Sequence, residues 1–394
     1  MRTVQFGDVF PPIIDGVSVT TMNYAKWLDM KYGPCTVVVP RVRGYTDKTS
    51  YRVLRFPSVD SVVRRPYRVG VPELSHRFSR EMRSLRCDLV HTHSPYVAGQ
   101  QAYKLARRLN VPLVATFHSK FRVDFKDALK FDALANAAVN TAVRLFNKAD
   151  FVWTVNRPSV ETLRSYGYNG PIEIMPNGCD SWEIADPHAA TDRLHAVYEL
   201  SPGDDLFLFV GQQIWQKNIK LILDAARLYF RTHGGKLALV GEGKNTHEIR
   251  RFVKESETLR DRVIFTGKIM DRDEMLAFYL RAKAFLFPSL YDNAPLVVRE
   301  TASVGCPSVL ARGSHAAEDF EENREVFLCE TTPESLSETM RIIVEDRPLY
   351  ETVRTGCKSI AKPWEQVVDR VAARYEEIIE EWTARSESRR TRRR

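Results

Sequence analysis

Short apolar runs alternate with longer amphipathic stretches along almost the whole chain. The runs end at or near polar turns and occupy residues 3–6, 35–39, 51–56, 88–95, 111–118, 151–156, 172–176, 206–210, 236–240, 263–266, 284–287, 307–310 and 326–329. Most are as long as a buried strand, and most are followed by a segment with helical spacing of apolar positions. This alternation is typical of βα units and predicts an α/β fold with parallel sheets.

A polar stretch at residues 180–204 interrupts the pattern. It contains Pro187, Pro202 and Gly203, which favour turns. A chain of 394 residues is long enough for two domains that each bury a core. We therefore predict an N-terminal domain at 1–180 and a C-terminal domain at 181–363. A charged helix at 364–385 and a disordered arginine-rich tail at 386–394 are expected to follow.

Charge is distributed unevenly between the two halves. Residues 1–180 contain 26 Lys and Arg against 15 Asp and Glu, whereas residues 181–394 contain 32 against 35. A basic N-terminal half predicts an anionic partner. No apolar run approaches the roughly 18–20 residues of a membrane span, and the chain starts on a strand without a signal peptide, so we expect a cytoplasmic protein. The six scattered cysteines are expected to be reduced, buried and inert.

The segment at residues 52–86 is the most basic part of this half, with nine arginines against three acidic residues. Residues 73–86 predict a helix with one apolar stripe surrounded by arginines. The stripe consists of Leu74, Phe78, Met82 and Leu85. Either this helix lies on the inner face of the plasma membrane, or it packs on the core and exposes its arginines to water. Nucleic acid is not the expected partner, because aromatic residues are not interleaved with the arginines.

Two carboxylates flank a predicted helix start after residues 284–287. Asp292 follows that strand in a polar turn, Pro295 stands near the first helical position, and Gly305 lies just past the end. Glu300 lies inside the helix, roughly 8 Å along it from Pro295 at about 1.5 Å per residue. Such carboxylates can bind two polyhydroxylated groups while the helix N-terminus binds an anion between them, as a nucleotide sugar requires. The alternative is that Asp292 caps the helix and Glu300 faces water.

Three histidines follow neighbouring strands of the first half. His91 and His93 share a strand face, and His118 stands at the carboxyl end of the next strand, where ligands of open parallel sheets bind. Without a third ligand nearby in sequence, we expect no metal at the histidine pair. The acids of Asp271-Arg-Asp273 mimic a metal-binding pattern, but they open a helix and are better explained as capping residues.

Several short segments, in this order and spacing, resemble the retaining glycosyltransferases of family 4. The matching segments are Asp15-Gly16-Val17-Ser18, His91-Thr92-His93-Ser94, Thr116-Phe117-His118, Met175-Pro176-Asn177-Gly178, Gly211, Lys217-Asn218, Val240-Gly241-Glu242-Gly243, Phe265-Thr266-Gly267 and the stretch from Asp292 to Glu300. The resemblance covers essentially the whole chain. It implies a GT-B fold, in which two Rossmann-like domains face each other across a cleft and the last helix crosses back onto the first domain.

The resemblance also implies roles for single residues. Asp292 is expected at the hydroxyls of the donor sugar, Glu300 at the ribose, Lys217 on the diphosphate and His118 near the transferred sugar; His118, Asp292 and Lys217 form the catalytic set. The residues expected around the donor are Gly16, Gly211, Gln212, Lys217, Gly241, Gly267, Asp292, Asn293, Ala294, Pro295, Leu296, Val297 and Glu300. The acceptor side is assigned to Asp15, His93 and His118.

Two positions depart from the family pattern. Asp292 stands where a glutamate is usual, and Gln212 stands where an arginine commonly follows the glycine of the phosphate-binding strand. We expect the shorter side chain of Asp292 to alter sugar preference and the missing cation at Gln212 to alter the rate of turnover.

The implied reaction is transfer of a hexose, with glucose and UDP as the expected sugar and nucleotide, with retention of configuration and without a metal. The basic first domain favours a membrane lipid acceptor such as diacylglycerol. The alternatives are a transferase that acts on a soluble glycan or a small molecule, a GT-B epimerase, and a non-catalytic nucleotide-sugar binder.

Overall fold

The chain forms two units, each built on its own parallel sheet. The computed structural model describes residues 1–61, 67–118, 132–180 and 186–391. The first unit comprises Met1–Gly178 together with the chain from Trp364 onward, and the second comprises Cys179–Pro363. Each sheet is built from the βα units that the sequence predicts.

The first unit contains a seven-stranded sheet and a separate hairpin. Its strands are β1 (Thr3–Phe6), β2 (Cys35–Pro40), β3 (Arg52–Phe56), β4 (Ser58–Asp60), β5 (Arg68–Gly70), β6 (Leu89–Thr92), β7 (Leu113–Phe117), β8 (Phe151–Thr154) and β9 (Glu173–Ile174). The sheet order is β3-β2-β1-β6-β7-β8-β9, with every neighbouring pair parallel, and β4 pairs antiparallel with β5. The hairpin was not predicted.

The helices of the first unit connect and cover these strands. They are α1 (Gly16–Lys31), α2 (His76–Ser84), α3 (Val97–Leu109), α4 (Asp132–Phe146) and α5 (Arg157–Ser165). The core includes Val4 and Phe6 of β1 and the apolar positions of α3. All four residues of β1 are buried, including the polar Thr3 and Gln5.

The second unit repeats this architecture with six strands. They are β10 (Leu206–Val210), β11 (Lys236–Val240), β12 (Val263–Gly267), β13 (Ala284–Phe287), β14 (Ser308–Ala311) and β15 (Phe327–Cys329), in the parallel order β12-β11-β10-β13-β14-β15. The helices are α6 (Pro187–Tyr198), α7 (Ile219–Tyr229), α8 (Thr246–Lys254), α9 (Arg272–Arg281), α10 (Leu296–Ser303), α11 (Pro333–Glu345) and α12 (Arg347–Gly356). The order reverses between β10 and β13, which places the carboxyl ends of both strands at a ligand-binding edge.

The last helix, α13 (Trp364–Thr391), packs on α1 of the first unit. Asp369 accepts hydrogen bonds from Lys31 Nζ at 2.5 Å and from Tyr32 Oη at 2.6 Å. The helix continues past the predicted end at residue 385, so the prediction of a disordered tail is wrong for residues 386–391. No proline or glycine interrupts this stretch, and its Arg and Glu residues are good helix formers. Residues 392–394 lie outside the described residues.

Helix α2 is shorter than the sequence predicts. Ser75 caps it by accepting a hydrogen bond from the amide of Phe78 at 3.2 Å, so Leu74 lies in a 3₁₀ turn before the helix and is 78% exposed. The predicted stripe is therefore wrong at Leu74. Phe78 and Met82 are buried in the core of the first unit, and the arginines of α2 are exposed. Among the described helices, none combines the length and the apolar character of a membrane span.

Candidate active site

Three glycines mark the carboxyl ends of β10, β11 and β12 in the second unit. Gly211, Gly241 and Gly267 all have positive φ angles, of 151°, 117° and 72°. A Cβ on Gly241 would lie 2.2 Å from the carbonyl oxygen of Gly211, and the amide of Gly241 donates to the carbonyl of Gly267 at 2.8 Å. The strand ends therefore approach one another more closely than a side chain at Gly241 would allow.

The two glutamines after Gly211 differ in environment. Gln212 is exposed, whereas Gln213 is fully buried and donates through Nε2 to the carbonyl oxygen of Gly241 at 2.8 Å. Gln213 thus joins the loops after β10 and β11. Sequence reasoning singled out Gln212 and missed Gln213, since nothing in the pair of adjacent glutamines indicates which one points inward.

Lys217 and Asp292 form an ion pair at the carboxyl ends of β10 and β13. Lys217 Nζ lies 2.6 Å from Asp292 Oδ1, and their side chains are only 13% and 18% exposed. The ammonium group also lies 5.0 Å from the ring centroid of Phe287, close enough for a cation–π contact. Ser289 Oγ donates to the other carboxylate oxygen of Asp292 at 2.7 Å.

Asp292 is not the N-cap of α10, so the capping alternative is wrong for this residue. Pro295 occupies the N-cap position and makes no side-chain hydrogen bond there. Leu296 and Val297 begin the helix, and amides of a first helical turn have no partner within the helix. Asp292 therefore lies in the loop just before the helix N-terminus, which carries a partial positive charge.

Glu300 does not face water, so the second part of that alternative is also wrong. The residue is half-buried, and loss of solvent around its carboxyl group raises its pKa to about 7. Tyr279 Oη of α9 donates to Glu300 Oε2 at 3.0 Å. Asp180 raises the pKa further, and Arg272, which lies 3.5 Å from Asp180, lowers it. Sequence reasoning missed Tyr279, whose position on a different helix gives no local signal.

The loop between Asp292 and α10 is also tied to the second unit. Asn293 is buried, and its Oδ1 lies 3.2 Å from His315 Nδ1; Ala294 is partly buried.

Asp271 caps α9 by accepting from the amides of Asp273 and Glu274 at 2.8 and 3.0 Å, as predicted.

In the first unit, Asp15 and Gly16 stand at the start of α1. Asp15 accepts a hydrogen bond from the amide of Ser18 at 2.8 Å, and Ser18 Oγ accepts from the amide of Asp15 at 2.8 Å, which makes a capping box. Tyr67 Oη donates to Asp15 Oδ2 at 3.4 Å. A Cβ on Gly16 would meet no atom within 4 Å, so the position next to this helix N-terminus is open.

His91, His93 and His118 lie together at the ends of β6 and β7. His93 Nδ1 is 3.1 Å from His118 Nε2, and the rings of His91 and His93 stack with centroids 4.3 Å apart. Burial lowers the pKa of His118 to about 3 and the pKa values of the other two well below 6.5. All three imidazoles are therefore neutral near pH 7.

Comparison with known proteins places this arrangement in a family. The model of Glycosyltransferase Family 4 matches residues 14–183, and the model of Glycosyl transferases group 1 matches residues 190–359. The chain belongs to glycosyltransferase family 4. Its two parallel-sheet units are the Rossmann-like domains of the GT-B fold, which confirms the predicted fold class.

The relatives of this glycosyltransferase differ in sugar and acceptor. It is 21% identical to the GDP-mannose-dependent alpha-mannosyltransferase of Corynebacterium glutamicum over 96% of this chain and 89% of that protein. It is 22% identical to the alpha-monoglucosyldiacylglycerol synthase of Streptococcus pneumoniae over 80% of this chain and 71% of that protein. HepE from Anabaena, solved in complex with UDP, shares the fold with a TM-score of 0.76 and 15% identity, over 96% of this chain and 100% of HepE.

The glycosyltransferase brings the predicted residues together in two groups. One group, in the second unit, joins the three strand-end glycines, Lys217, Asp292, and the helix that carries Glu300. In the first unit, the three histidines lie together, and Asp15 and Gly16 stand at the start of α1. The roles that the sequence assigns to these residues remain predictions.

Proposed function

We propose that this glycosyltransferase transfers a glucosyl group from UDP-glucose to a membrane lipid such as diacylglycerol, with retention of configuration. The observation that carries the proposal is the Lys217–Asp292 ion pair, whose aspartate shortly precedes helix α10 with its half-buried Glu300. A cation, an anion-binding helix start and two carboxylates match the diphosphate, sugar and ribose of a nucleotide sugar.

The ion pair suggests how the donor engages the site. When a diphosphate arrives, its oxygens compete with Asp292 for the ammonium group of Lys217. Asp292 then becomes available to accept hydrogen bonds from hydroxyls of the sugar, while Lys217 stabilises the charge that develops on the leaving nucleoside diphosphate. In this proposal, the first-turn amides of α10 supply the remaining positive potential and no metal takes part.

Retention of configuration is proposed to result from attack by the acceptor on the face of the sugar that the diphosphate leaves. The departing phosphate takes the proton of the acceptor hydroxyl. The name of the glucosyldiacylglycerol synthase supports transfer to a lipid. The name of the GDP-mannose-dependent mannosyltransferase makes GDP-mannose the alternative donor.

The exposed arginines of α2 support a lipid acceptor. Arg77, Arg80 and Arg83 all lie on the solvent side of a helix whose apolar residues are committed to the core. Contact with a membrane at this surface is therefore electrostatic, with the exposed Leu74 beside it, rather than by insertion of an apolar face. Each basic residue near an anionic membrane surface contributes about 1 kcal/mol.

The test is release of nucleoside diphosphate from UDP-, GDP- and ADP-sugars, with and without anionic vesicles that contain diacylglycerol. We expect vesicle-dependent release from UDP-glucose. Changing Arg77, Arg80 and Arg83 to serine should weaken vesicle binding about 10- to 100-fold, since three charges contribute up to about 3 kcal/mol.

The matched control changes Arg193, Arg231 and Arg251 of the second unit to serine. These arginines are also exposed, and the variant loses the same charge without touching α2. Equal loss of vesicle binding in both variants would refute the α2 surface. Release that ignores vesicles would move the acceptor to a soluble glycan, and release from no donor despite nucleotide binding would refute catalysis.

A further inference from the structure

A continuous chain of hydrogen bonds runs through the core of the first unit and reaches His118. Its members lie on β1, β6, β7 and α13, and they are Thr116, His91, Tyr375, Gln5, His93 and His118. Five of the six are at most 4% exposed. In such a buried chain every donor needs an acceptor, because an unsatisfied polar group is costly.

The amide of Gln5 determines the direction of one half of this chain. Its Nε2 donates to Tyr375 Oη at 3.4 Å, so its Oε1 faces His93 Nε2 at 3.0 Å. A carbonyl oxygen only accepts, and His93 Nε2 must therefore carry a proton. Because His93 is neutral, its Nδ1 has a lone pair and accepts from His118 Nε2 at 3.1 Å.

The other half of the chain is consistent with this direction. Tyr375 receives a hydrogen bond from Gln5 and donates its own proton to His91 Nδ1. His91 then carries its proton on Nε2 and donates to Thr116 Oγ1 at 2.7 Å. Reversal of the link between Gln5 and His93 requires a half-turn of the Gln5 amide and moves the proton of His93 to Nδ1, which then donates to His118 Nε2.

We propose that Gln5 and Tyr375 are positioning residues that fix the tautomer of His118, with its proton on Nε2 and with Nδ1 as the acceptor nitrogen. The inference rests on the proposed function, in which His118 acts near the transferred sugar. A sugar hydroxyl that contacts Nδ1 must then act as the hydrogen-bond donor. The C-terminal helix contributes to the site through Tyr375, although Tyr375 touches no reacting atom.

The chain offers variants that separate tautomer control from packing. Tyr375→Phe releases the Gln5 amide, and Gln5→Leu removes the link to His93. Gln5→Glu loses the donor to Tyr375, whose hydroxyl can then donate to the carboxylate, but it keeps an acceptor for the Nε2 proton of His93 and should preserve the tautomer of His118. Tyr24→Phe is the matched control, because Tyr24 is a buried tyrosine whose ring lies 5.2 Å from that of His93, yet it is not a member of the chain.

The primary measurement is the tautomer of His118 from the ¹⁵N NMR signals of a histidine-labelled protein, with His118→Asn used to assign the signal. Wild-type protein and the variants Gln5→Glu and Tyr24→Phe should show the proton on Nε2. Tyr375→Phe and Gln5→Leu should show a mixture of tautomers, and kcat should fall about 10-fold, which corresponds to about 1.4 kcal/mol, with a smaller change in KM.

A wild-type signal with the proton on Nδ1 would overturn the assignment of the tautomer. An unchanged tautomer or an unchanged kcat in both Tyr375→Phe and Gln5→Leu would overturn the positioning role. An equal fall of kcat in Tyr24→Phe would do the same, because packing alone would then explain the effect. The NMR result does not require turnover, so failure of the proposed function would be recognised separately by the absence of diphosphate release from wild-type protein.

Discussion

Replacing Glu300 with glutamine should stabilise the protein at neutral pH and at the same time weaken nucleotide binding. Glu300 is a carboxylate held in a protein-lined position beside Tyr279, and burial raises its pKa from 4.5 to about 7. The native state therefore prefers the protonated acid, whereas the unfolded chain ionises it at lower pH. Glutamine retains the shape and removes the charge.

The magnitude follows from the size of the pKa shift. One pKa unit corresponds to 1.36 kcal/mol, so a shift to about 7 costs about 3 kcal/mol of unfolding free energy once the group is ionised. The cost is absent below about pH 4.5, increases as the pH rises towards 7, and is constant above that value. Wild-type protein should therefore lose stability between pH 5 and pH 8, while Glu300→Gln should gain up to about 3 kcal/mol relative to it at pH 8.

Nucleotide binding should change in the opposite sense. An ionised carboxylate accepts hydrogen bonds from both ribose hydroxyls, whereas the amide offers a single acceptor oxygen. With a pKa of about 7, Glu300 is about 10% ionised at pH 6 and about 90% ionised at pH 8. The affinity of wild-type protein for UDP should therefore increase about 10-fold over this range.

The assays are urea unfolding and calorimetric titration with UDP at pH 5, 6, 7 and 8. The titration of Glu300→Gln at each pH accounts for ionisation of the nucleotide itself. The control is Glu257→Gln, since Glu257 is exposed in the same unit, and it should change neither property. If Glu300→Gln were no more stable than wild type at pH 8, or if both proteins showed the same pH dependence of UDP affinity, the reasoning about the buried carboxylate would be refuted.

The remaining predictions concern the diphosphate, the strand-end glycines and the sugar. Lys217→Met should lower kcat about 100- to 1,000-fold, as loss of a group that stabilises transition-state charge does elsewhere, while the exposed Lys220→Met should leave kcat unchanged; equal losses would disprove the role. Gly241→Ala should lower the unfolding free energy, measured by urea unfolding, by more than about 2 kcal/mol, because φ is +117° and the added Cβ would overlap a carbonyl oxygen. The control Gly234→Ala places its Cβ in open space and should leave the unfolding free energy nearly unchanged. Asp292→Glu, which restores the usual family residue, should change the ratio of kcat/KM between UDP-glucose and GDP-mannose; an unchanged ratio would show that this carboxylate does not select the sugar.

The parallel-sheet strands were predictable because such strands are buried on both faces, whereas the GT-B fold was implied by the resemblance to family 4. Such strands appear in the sequence as short continuous apolar runs, and β10 and β13 are examples. The turn from Asp292 to α10 was equally predictable, since Pro295 stands at the start of the helix and Gly305 lies just past its end. Local sequence is sufficient for features of this kind.

Features that depend on distant contacts were missed. Tyr279 reaches Glu300 from a different helix, and Gln213 is one of two adjacent glutamines whose residue types do not show which side chain is buried. Leu74 was assigned to the buried stripe of α2. The helix begins only after its N-cap Ser75, so Leu74 lies outside it and is exposed. The hairpin β4–β5 was missed because short strands at the edge of a unit carry little apolar periodicity.

The first unit contains both the beginning and the end of the polypeptide. Tyr375 lies on the last helix, yet it completes the buried surroundings of His91, which lies on the central strand β6. On a ribosome, the second unit is a contiguous segment and is able to fold as soon as it emerges, whereas the first must wait for the final helix. The surroundings of the histidines are therefore completed last, and a chain cut short before α13 would contain a complete second unit and an incomplete first unit.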